Sequence, residues 1–273
     1  MTLSLALCQL RIEGGDPAGN LERALDRIDR AAERGADVVA LPELFDVGYF
    51  AFEDYARVAQ GLSGSRLAAL AEAAAGHGIW LLAGTVVEDL AASAEAGFPV
   101  PAEEGYANAS VLFDPSGERR LVYRKHHLFG YESAETRLLT PGKRVETASL
   151  AGFTVGVTTC YDLRFPELYR ELVEKGATLL LIPSAWPYPR VEHWRTLPRA
   201  RAIENLAYVA TINGTGEFEE AELLGRSAVY DPWGTAVASA GDEPATVAAR
   251  IDPERVTAVR DDFPALRDRR GSD

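Results

Sequence analysis

Residues 155–172 read VGVTTCYDLRFPELYREL. The first part completes the apolar run FTVGVTTC, which reads as a strand. Polar residues then begin with Asp162 and Arg164. PELYRELVEKGA follows as a helix with Phe165, Leu168, Tyr169 and Leu172 on one face. Cys160 therefore stands at the carboxyl end of a strand, on an elbow leading into a helix. Such an elbow offers backbone N–H groups and a positive dipole end to a thiolate or a developing oxyanion. A free cysteine is more often a small buried hydrophobe, which is the reading for Cys8 inside an apolar strand.

Working outward, the same alternation recurs. LSLALCQL is a strand, and the helix after it is capped by Asp16-Pro17, closes at Gly35, and carries Leu21, Leu25, Ile28 and Ala32 on one side. DVVALPE is a short buried strand stopped by Pro42. SRLAALAEAAAGHG reads as a helix and IWLLAGTVV as one strand. Residues 88–105 lack periodicity and read as a mobile surface excursion, long enough to cover a pocket or extend an interface. YANASVLFDPSGERRLVYRK is a hairpin around Asp114-Pro115-Ser116-Gly117. TLLLIPSAW and YVATING are strands flanking the helical WRTLPRARAIENLA, where Pro198 is tolerable if the helix begins near Thr196. GRSAVYDPWGTAVASAG and ATVAARI are β, with a turn at Asp231-Pro232-Trp233-Gly234, where Ser227 reads as structural.

Strand–helix alternation in both halves, antiparallel hairpins between them and no low-complexity linker point to one domain spanning 1–273, with a polar tail from about 261. Helices over the outer faces of two packed sheets would bury these strands on both sides. The expected fold is α/β of the α+β type, a four-layer α-β-β-α sandwich with two mixed β-sheets.

The chain has 273 residues, 47% of them apolar, and a net charge of −13. That charge opposes nucleic acid and anionic membranes as partners. Two cysteines make no disulfide framework, and the N-terminus MTLSLALCQL has neither the basic start of a signal peptide nor the length to span a bilayer. A cytoplasmic enzyme is expected.

If Cys160 is a nucleophile, it needs a base. His77 reads as a helix cap, His193 as a ligand contact or a helix start. His126 and His127 are adjacent and cannot both point at one target. None has metal-ligand spacing such as H-E-x-x-H. Carboxylates are the other option. Glu43 ends the strand VVALP, where open α/β sheets put their sites, and Lys125 ends RLVYR. Each alone is equally a solvated surface residue.

Three segments in this order, LPELF, YRKHHLFG and GVTTCYDLRFPELYREL, resemble the nitrilase, or carbon–nitrogen hydrolase, superfamily. IPSAWPYPRVEHWRTLPRARAIENLAYVATING and GRSAVYDPWG agree, and CYDLRFPEL is most like the amidase branch that includes the omega-amidases. The resemblance implies a Glu–Lys–Cys triad of Glu43, Lys125 and Cys160, with a second catalytic glutamate at Glu135 or, competing with it, Glu132. It implies that Lys125 and the Tyr161 N–H hold the oxyanion, and that Lys125 and the helix end lower the Cys160 thiol pKa. Tyr49, Tyr161, Arg164 and Trp186 become candidate substrate-binding residues, with Arg164 alternatively pairing with Asp162. Arg190 or Arg195 could receive a substrate carboxylate, and both read equally as surface residues or subunit contacts. NGTG at 213–216 departs from the family's strand end and puts one substrate contact in doubt.

The implied activity is hydrolysis of a small carboxamide to acid and ammonia through a thioester, omega-amidase-like, without metal or cofactor, in a homodimer or higher homo-oligomer. Nitrile or N-carbamoyl hydrolysis, and a non-catalytic scaffold, are the rivals.

Overall fold

The computed structural model describes residues 2–131, 133–219 and 221–270. Its strands are β1 (Leu3–Gln9), β2 (Val38–Ala40), β3 (Trp80–Leu82), β4 (Val86–Asp89), β5 (Tyr106–Phe113), β6 (Arg119–Arg124), β7 (Thr147–Leu150), β8 (Phe153–Val157), β9 (Leu179–Ser184), β10 (Tyr208–Asn213), β11 (Thr215–Phe218), β12 (Ala221–Leu224), β13 (Ala228–Tyr230), β14 (Ala236–Ser239) and β15 (Ala245–Ile251). Its helices are α1 (Pro17–Glu33), α2 (Tyr55–Val58), α3 (Ser65–His77), α4 (Leu90–Glu95), α5 (Glu135–Leu138), α6 (Pro166–Glu174), α7 (Val191–Asn205) and α8 (Pro253–Asp262).

One mixed sheet runs β15-β1-β2-β3-β5-β4, with β6 on the other edge of β5. The second runs β14-β13-β10-β9-β8-β7. Strands β1–β2–β3 and β8–β9–β10 are parallel cores, so their carboxyl ends point the same way within each sheet. Alternation along each strand builds the layers. Leu3, Leu5 and Leu7 of β1 meet Val155, Leu179, Leu181 and Ala210 between the sheets. Ala6, Cys8 and Leu10 face the other way, onto Ala24, Ile28 and Ala31 of α1. Leu180 and Ile182 of β9 face Leu168, Tyr169 and Leu172 of α6 and Trp194 and Ala202 of α7. The result is the four-layer sandwich of helix, sheet, sheet and helix.

Local chemistry accounts for most boundaries. The Asp16 carboxylate accepts the Gly19 N–H at 3.0 Å, and Pro17 opens α1. Its buried stripe centres on Ala24, Ile28 and Ala31, with Leu21, Leu25 and Ala32 on the flanks. The 114–117 turn closes with the Gly117 N–H donating to the Asp114 carbonyl at 2.8 Å.

Several expectations are corrected. IWLLAGTVV is two strands, interrupted at Gly84, which sits at φ +50. A Cβ there would run into the Pro42 carbonyl. The 88–105 region is not an unstructured excursion. Glu88 lies within β4 fully buried, paired with Arg124 at 2.6 Å, and α4 docks through Leu90 and Ser93. Phe98 to Pro101 line a surface groove with Arg119, away from Cys160. Helix α7 begins at Val191, not near Thr196, and runs through Pro198. The β11–β12 hairpin was not expected, because its glutamates mask the alternation. The region after 261 is not simply a polar tail: α8 continues to Asp262, and Pro264–Leu266 form a 3-10 turn.

Among the described residues no helix is long and apolar enough to cross a membrane. Ile203, Trp233 and Phe263 stay exposed close together: Ile203 lies against Gly234, and the Trp233 and Phe263 rings are 5.6 Å apart.

Candidate active site

The loop after β2 is held tightly. The Leu44 N–H donates to Thr85 Oγ1 at 2.8 Å and the Thr85 N–H to the Pro42 carbonyl at 3.3 Å. Leu44 itself adopts φ +43. These constraints turn Glu43 inward, where it is fully buried. Its Oε2 accepts the Ala185 N–H at 2.9 Å, and its Oε1 accepts Lys125 Nζ at 2.9 Å and Asn108 Nδ2 at 2.8 Å.

Lys125 follows β6 and is buried between two carboxylates. Its Nζ also donates to Glu135 at 2.8 and 3.0 Å. Burial alone would lower its pKa, but the Glu135 and Glu43 charges outweigh that and push it well above the ordinary lysine value. Glu135, at the first position of α5, further accepts the Phe129 N–H at 2.6 Å and the Tyr49 hydroxyl at 3.1 Å. Burial and the Glu43 charge raise its pKa against the pull of Lys125. Glu132, the competing position, lies outside the described residues.

Cys160 opens a 3-10 turn, Cys160–Arg164, rather than an α-helix, at φ +46. A non-glycine residue held there is strained, and the surroundings must impose it. Asp162 does so. Its Oδ2 accepts the Thr159 N–H at 3.0 Å and the Tyr123 hydroxyl at 2.6 Å, and its Oδ1 accepts the His127 N–H at 2.8 Å. His127 Nδ1 also lies 2.8 Å from Oδ1. Tyr123 and His127 flank Lys125, so one buried carboxylate ties the lysine segment to the cysteine elbow. Asp162 is thus occupied, and the expected Arg164–Asp162 pair does not form. His127 is likewise committed, and the groups whose charge or dipole acts on the sulfur are Glu43, Lys125 and the Ala185 backbone.

The thiol differs from expectation. Burial, the Glu43 charge and a hydrogen bond to Glu43 push it well above the ordinary cysteine value, against the lowering by Lys125 and the Ala185 N–H. The thiol is held neutral, because desolvation of the sulfur outweighs the ammonium.

Cys160 and Lys125 meet a cavity of about 290 Å³ whose walls include Tyr49, Phe129, Tyr161, Arg164, Trp186 and Arg190. Tyr49 reaches it, but its hydroxyl is spent on Glu135. Trp186 is held from behind: its N–H donates to Asn213 Oδ1 at 2.7 Å, and Asn213 Nδ2 returns to the Trp186 carbonyl at 3.1 Å. Asn213 therefore supports the wall instead of meeting a substrate. Arg164 packs over the Trp186 ring at 4.9 Å, with Nη2 3.2 Å from His193 Nδ1. Arg190 lies over Phe129 at 5.7 Å. Burial and the Arg190 charge lower the Arg164 pKa. Among the described residues neither guanidinium has a carboxylate partner. Arg195 is on the surface, paired with Glu192, and not in this cavity.

Sequence reasoning missed Asn108 and the Thr85–Gly84 support. An asparagine inside YANASVLF carries no local signal of its role, and Gly84 shows only as a glycine within an apolar run.

Residues 4–261 match the family model described as carbon-nitrogen hydrolase. A 2-oxoglutaramate amidase of Paenarthrobacter nicotinovorans is 38% identical over 86% of this chain and 79% of its own length. An omega-amidase of Xenopus tropicalis is 35% identical over 92% of this chain and 89% of its own. Among solved structures, a mutant amidase from Nesterenkonia sp. AN1 superposes with a TM-score of 0.83, at 28% identity, over 98% of this chain and 94% of that one. That structure shows the acetamide moiety of fluoroacetamide added covalently at its active-site cysteine.

Proposed function

The chain belongs to the carbon–nitrogen hydrolase family, and from that premise we propose that it cleaves the terminal amide of a short dicarboxylic acid on Cys160, served by Glu43, Lys125 and Glu135. It is a hydrolase of non-peptide carbon–nitrogen bonds, and its chemistry is cysteine-dependent amide hydrolysis. The observation that carries the finer reading is the buried Lys125–Glu43 pair at 2.9 Å beside the thiol.

In this mechanism Glu43 takes the thiol proton as the sulfur attacks the amide carbonyl. A carboxylate is a weak base for a thiol of ordinary pKa near 8.5. The transfer is feasible because the forming thiolate gains the Lys125 ammonium and the Ala185 N–H. Lys125 Nζ and the Tyr161 N–H stabilise the oxyanion, each donor worth about 3 kcal/mol. Protonated Glu43 then gives its proton to the departing ammonia, leaving a thioester. Water, deprotonated by Glu43, attacks the thioester, and the acid leaves as the thiol is restored. Glu135 keeps Lys125 charged and aimed.

Two guanidiniums near the same cavity, without carboxylate partners among the described residues, favour a substrate with a free carboxylate. The name 2-oxoglutaramate amidase, borne by a relative, denotes such a molecule. Tyr161 and Trp186 supply the walls. The exposed Ile203, Trp233 and Phe263 support a homodimer or higher homo-oligomer, and a free nucleophilic thiol suits the reducing cytoplasm.

Ammonia release from ω-monoamides of dicarboxylic acids, plain amides, nitriles and N-carbamoyl compounds tests the reading. The ω-monoamides should give the highest kcat/KM. Arg190→Met should raise KM for them about 10- to 100-fold while leaving uncharged amides nearly unaffected. Mass spectrometry should find an acyl adduct on Cys160 and none in Cys160→Ala. An adduct elsewhere, or no amide turned over, would overturn the assignment.

A further inference from the structure

We propose that Asn108 is a positioning residue that directs the thiol proton to Oε2 of Glu43 by saturating Oε1. This rests on the reading of Glu43 as the base and Cys160 as the nucleophile.

A carboxylate has about four lone-pair sites, two on each oxygen. On Glu43 the Oε1 pair is filled by Lys125 Nζ at 2.9 Å and Asn108 Nδ2 at 2.8 Å. One Oε2 site holds the Ala185 N–H at 2.9 Å. A single acceptor site remains, on Oε2, to take a proton from the thiol whose pKa burial and the Glu43 charge raise. Without Asn108 a second site would open on Oε1. A proton resting there would sit on the oxygen that accepts the Lys125 ammonium.

The second hydrogen of the same amide leans to Glu135 Oε1 at 3.4 Å. Asn108 therefore braces both carboxylates, as Lys125 does, but adds no charge. Its backbone carbonyl accepts the Lys125 N–H at 2.9 Å, so β5 sets both side chains in one register. The charged or titratable groups facing Glu43 are Lys125 from the end of β6, Glu135 from α5 and Cys160 from the elbow, with Tyr49 beyond them.

Two further features separate this role from simple packing. Asn108 is 1% exposed, yet among the described residues its Oδ1 has no hydrogen-bond partner. A buried orphan acceptor costs stability, and an apolar residue of similar size would avoid it. The reversed amide would aim Oδ1 at two carboxylates, so the orientation follows from the network. Asn108 is not in the cavity wall and its amide is bound to Glu43, which places its action on that carboxylate.

Asn108→Leu removes the donor and the orphan acceptor together. With a small amide substrate, kcat should fall about 10- to 100-fold, and KM should stay within about twofold. The acid limb of kcat/KM, and that of iodoacetamide alkylation of Cys160, should move to higher pH, because a carboxylate short of one donor holds its proton more tightly. The melting temperature should hold or rise. Asn108→Asp, of the same shape, donates only while protonated, so its activity relative to the parent should recover as pH falls. Parent-like kcat and acid limb in either folded variant, or a loss confined to KM, would refute the proposal. Failure of both variants to fold would make Asn108 structural and refute it equally. If the parent forms no Cys160 adduct, the underlying reading fails instead, which the adduct measurement reports independently.

Discussion

At the scale of single residues the site is an electrostatic compromise between buried charges. Lys125 is a buried cation whose charge is balanced by Glu43 and Glu135 together. Removing one partner of a buried ion pair leaves charge without compensation. Lys125→Met should therefore lose about 3–5 kcal/mol of stability as well as activity, measurable by denaturant unfolding beside turnover. Glu43→Gln separates two roles of one carboxylate. Turnover should drop about 10²- to 10⁴-fold with the base gone. The thiol, which the Glu43 charge now raises, should become easier to ionise. The pH midpoint of Cys160 alkylation should accordingly move down; an upward move would mean Glu43 does not act on the sulfur as a charge. Glu43, Lys125 and Cys160 were recognisable through segments resembling a family. Asn108 was not, because a buried asparagine in a strand has no signature until its partners are known.

At the scale of elements, short constraints place these groups. Gly84 at φ +50 lets β3 and β4 share one edge of β5 while the Glu43 loop passes against it. Gly84→Ala combines left-handed strain with a clash at the Pro42 carbonyl. It should cost about 1–3 kcal/mol and reduce kcat through a displaced Glu43. An unchanged melting curve would show the loop to be adaptable. The β5–β6 hairpin that delivers Lys125 is stapled by Asp114. Its side chain accepts the Ser116 and Glu118 N–H groups at 2.9 and 3.0 Å and Arg120 Nε at 2.6 Å. Burial opposes these bonds but loses, and the Asp114 pKa falls from 3.8 to about 2. A depressed carboxyl contributes stability that is complete above its unfolded value and is lost as pH falls through the folded one. The stability gap between the parent and Asp114→Ala should therefore be full at pH 5 and shrink as pH approaches about 2. The α4 region and Pro198 show where periodicity misleads. A short helix with only Leu90 and Ser93 buried has too few turns to register, and a proline inside a packed helix is tolerated by contacts that propensity does not see.

At the scale of the whole molecule, two sheets bring separate strand ends to one place. Glu43 follows β2, Cys160 follows β8, the Ala185 N–H follows β9 and Asn213 ends β10. Only sandwich packing makes neighbours of them. The outer face of the second sheet carries α6 and α7, and the apolar cluster of Ile203, Trp233 and Phe263 lies at the α7 side. If copies associate there, Trp233→Glu should shift sedimentation toward the monomer while leaving the Cys160 adduct intact; a parent-like sedimentation profile would move the interface elsewhere.

Periodicity, capping residues and turn chemistry in the sequence determined most of the strands and helices and their order, because those properties depend on neighbours a few residues apart; α4, the break between β3 and β4 and the β11–β12 hairpin escaped them. Segments resembling a family further pointed to Cys160, Lys125 and Glu43 as the expected nucleophile, cation and base. The tertiary structure alone decided that the thiol rests protonated, that Asp162 serves the elbow rather than Arg164, that Asn213 supports a wall, and that Asn108 braces two carboxylates. Each of these depends on desolvation and on hydrogen bonds between side chains far apart in the chain, quantities that exist only once the sheets have packed.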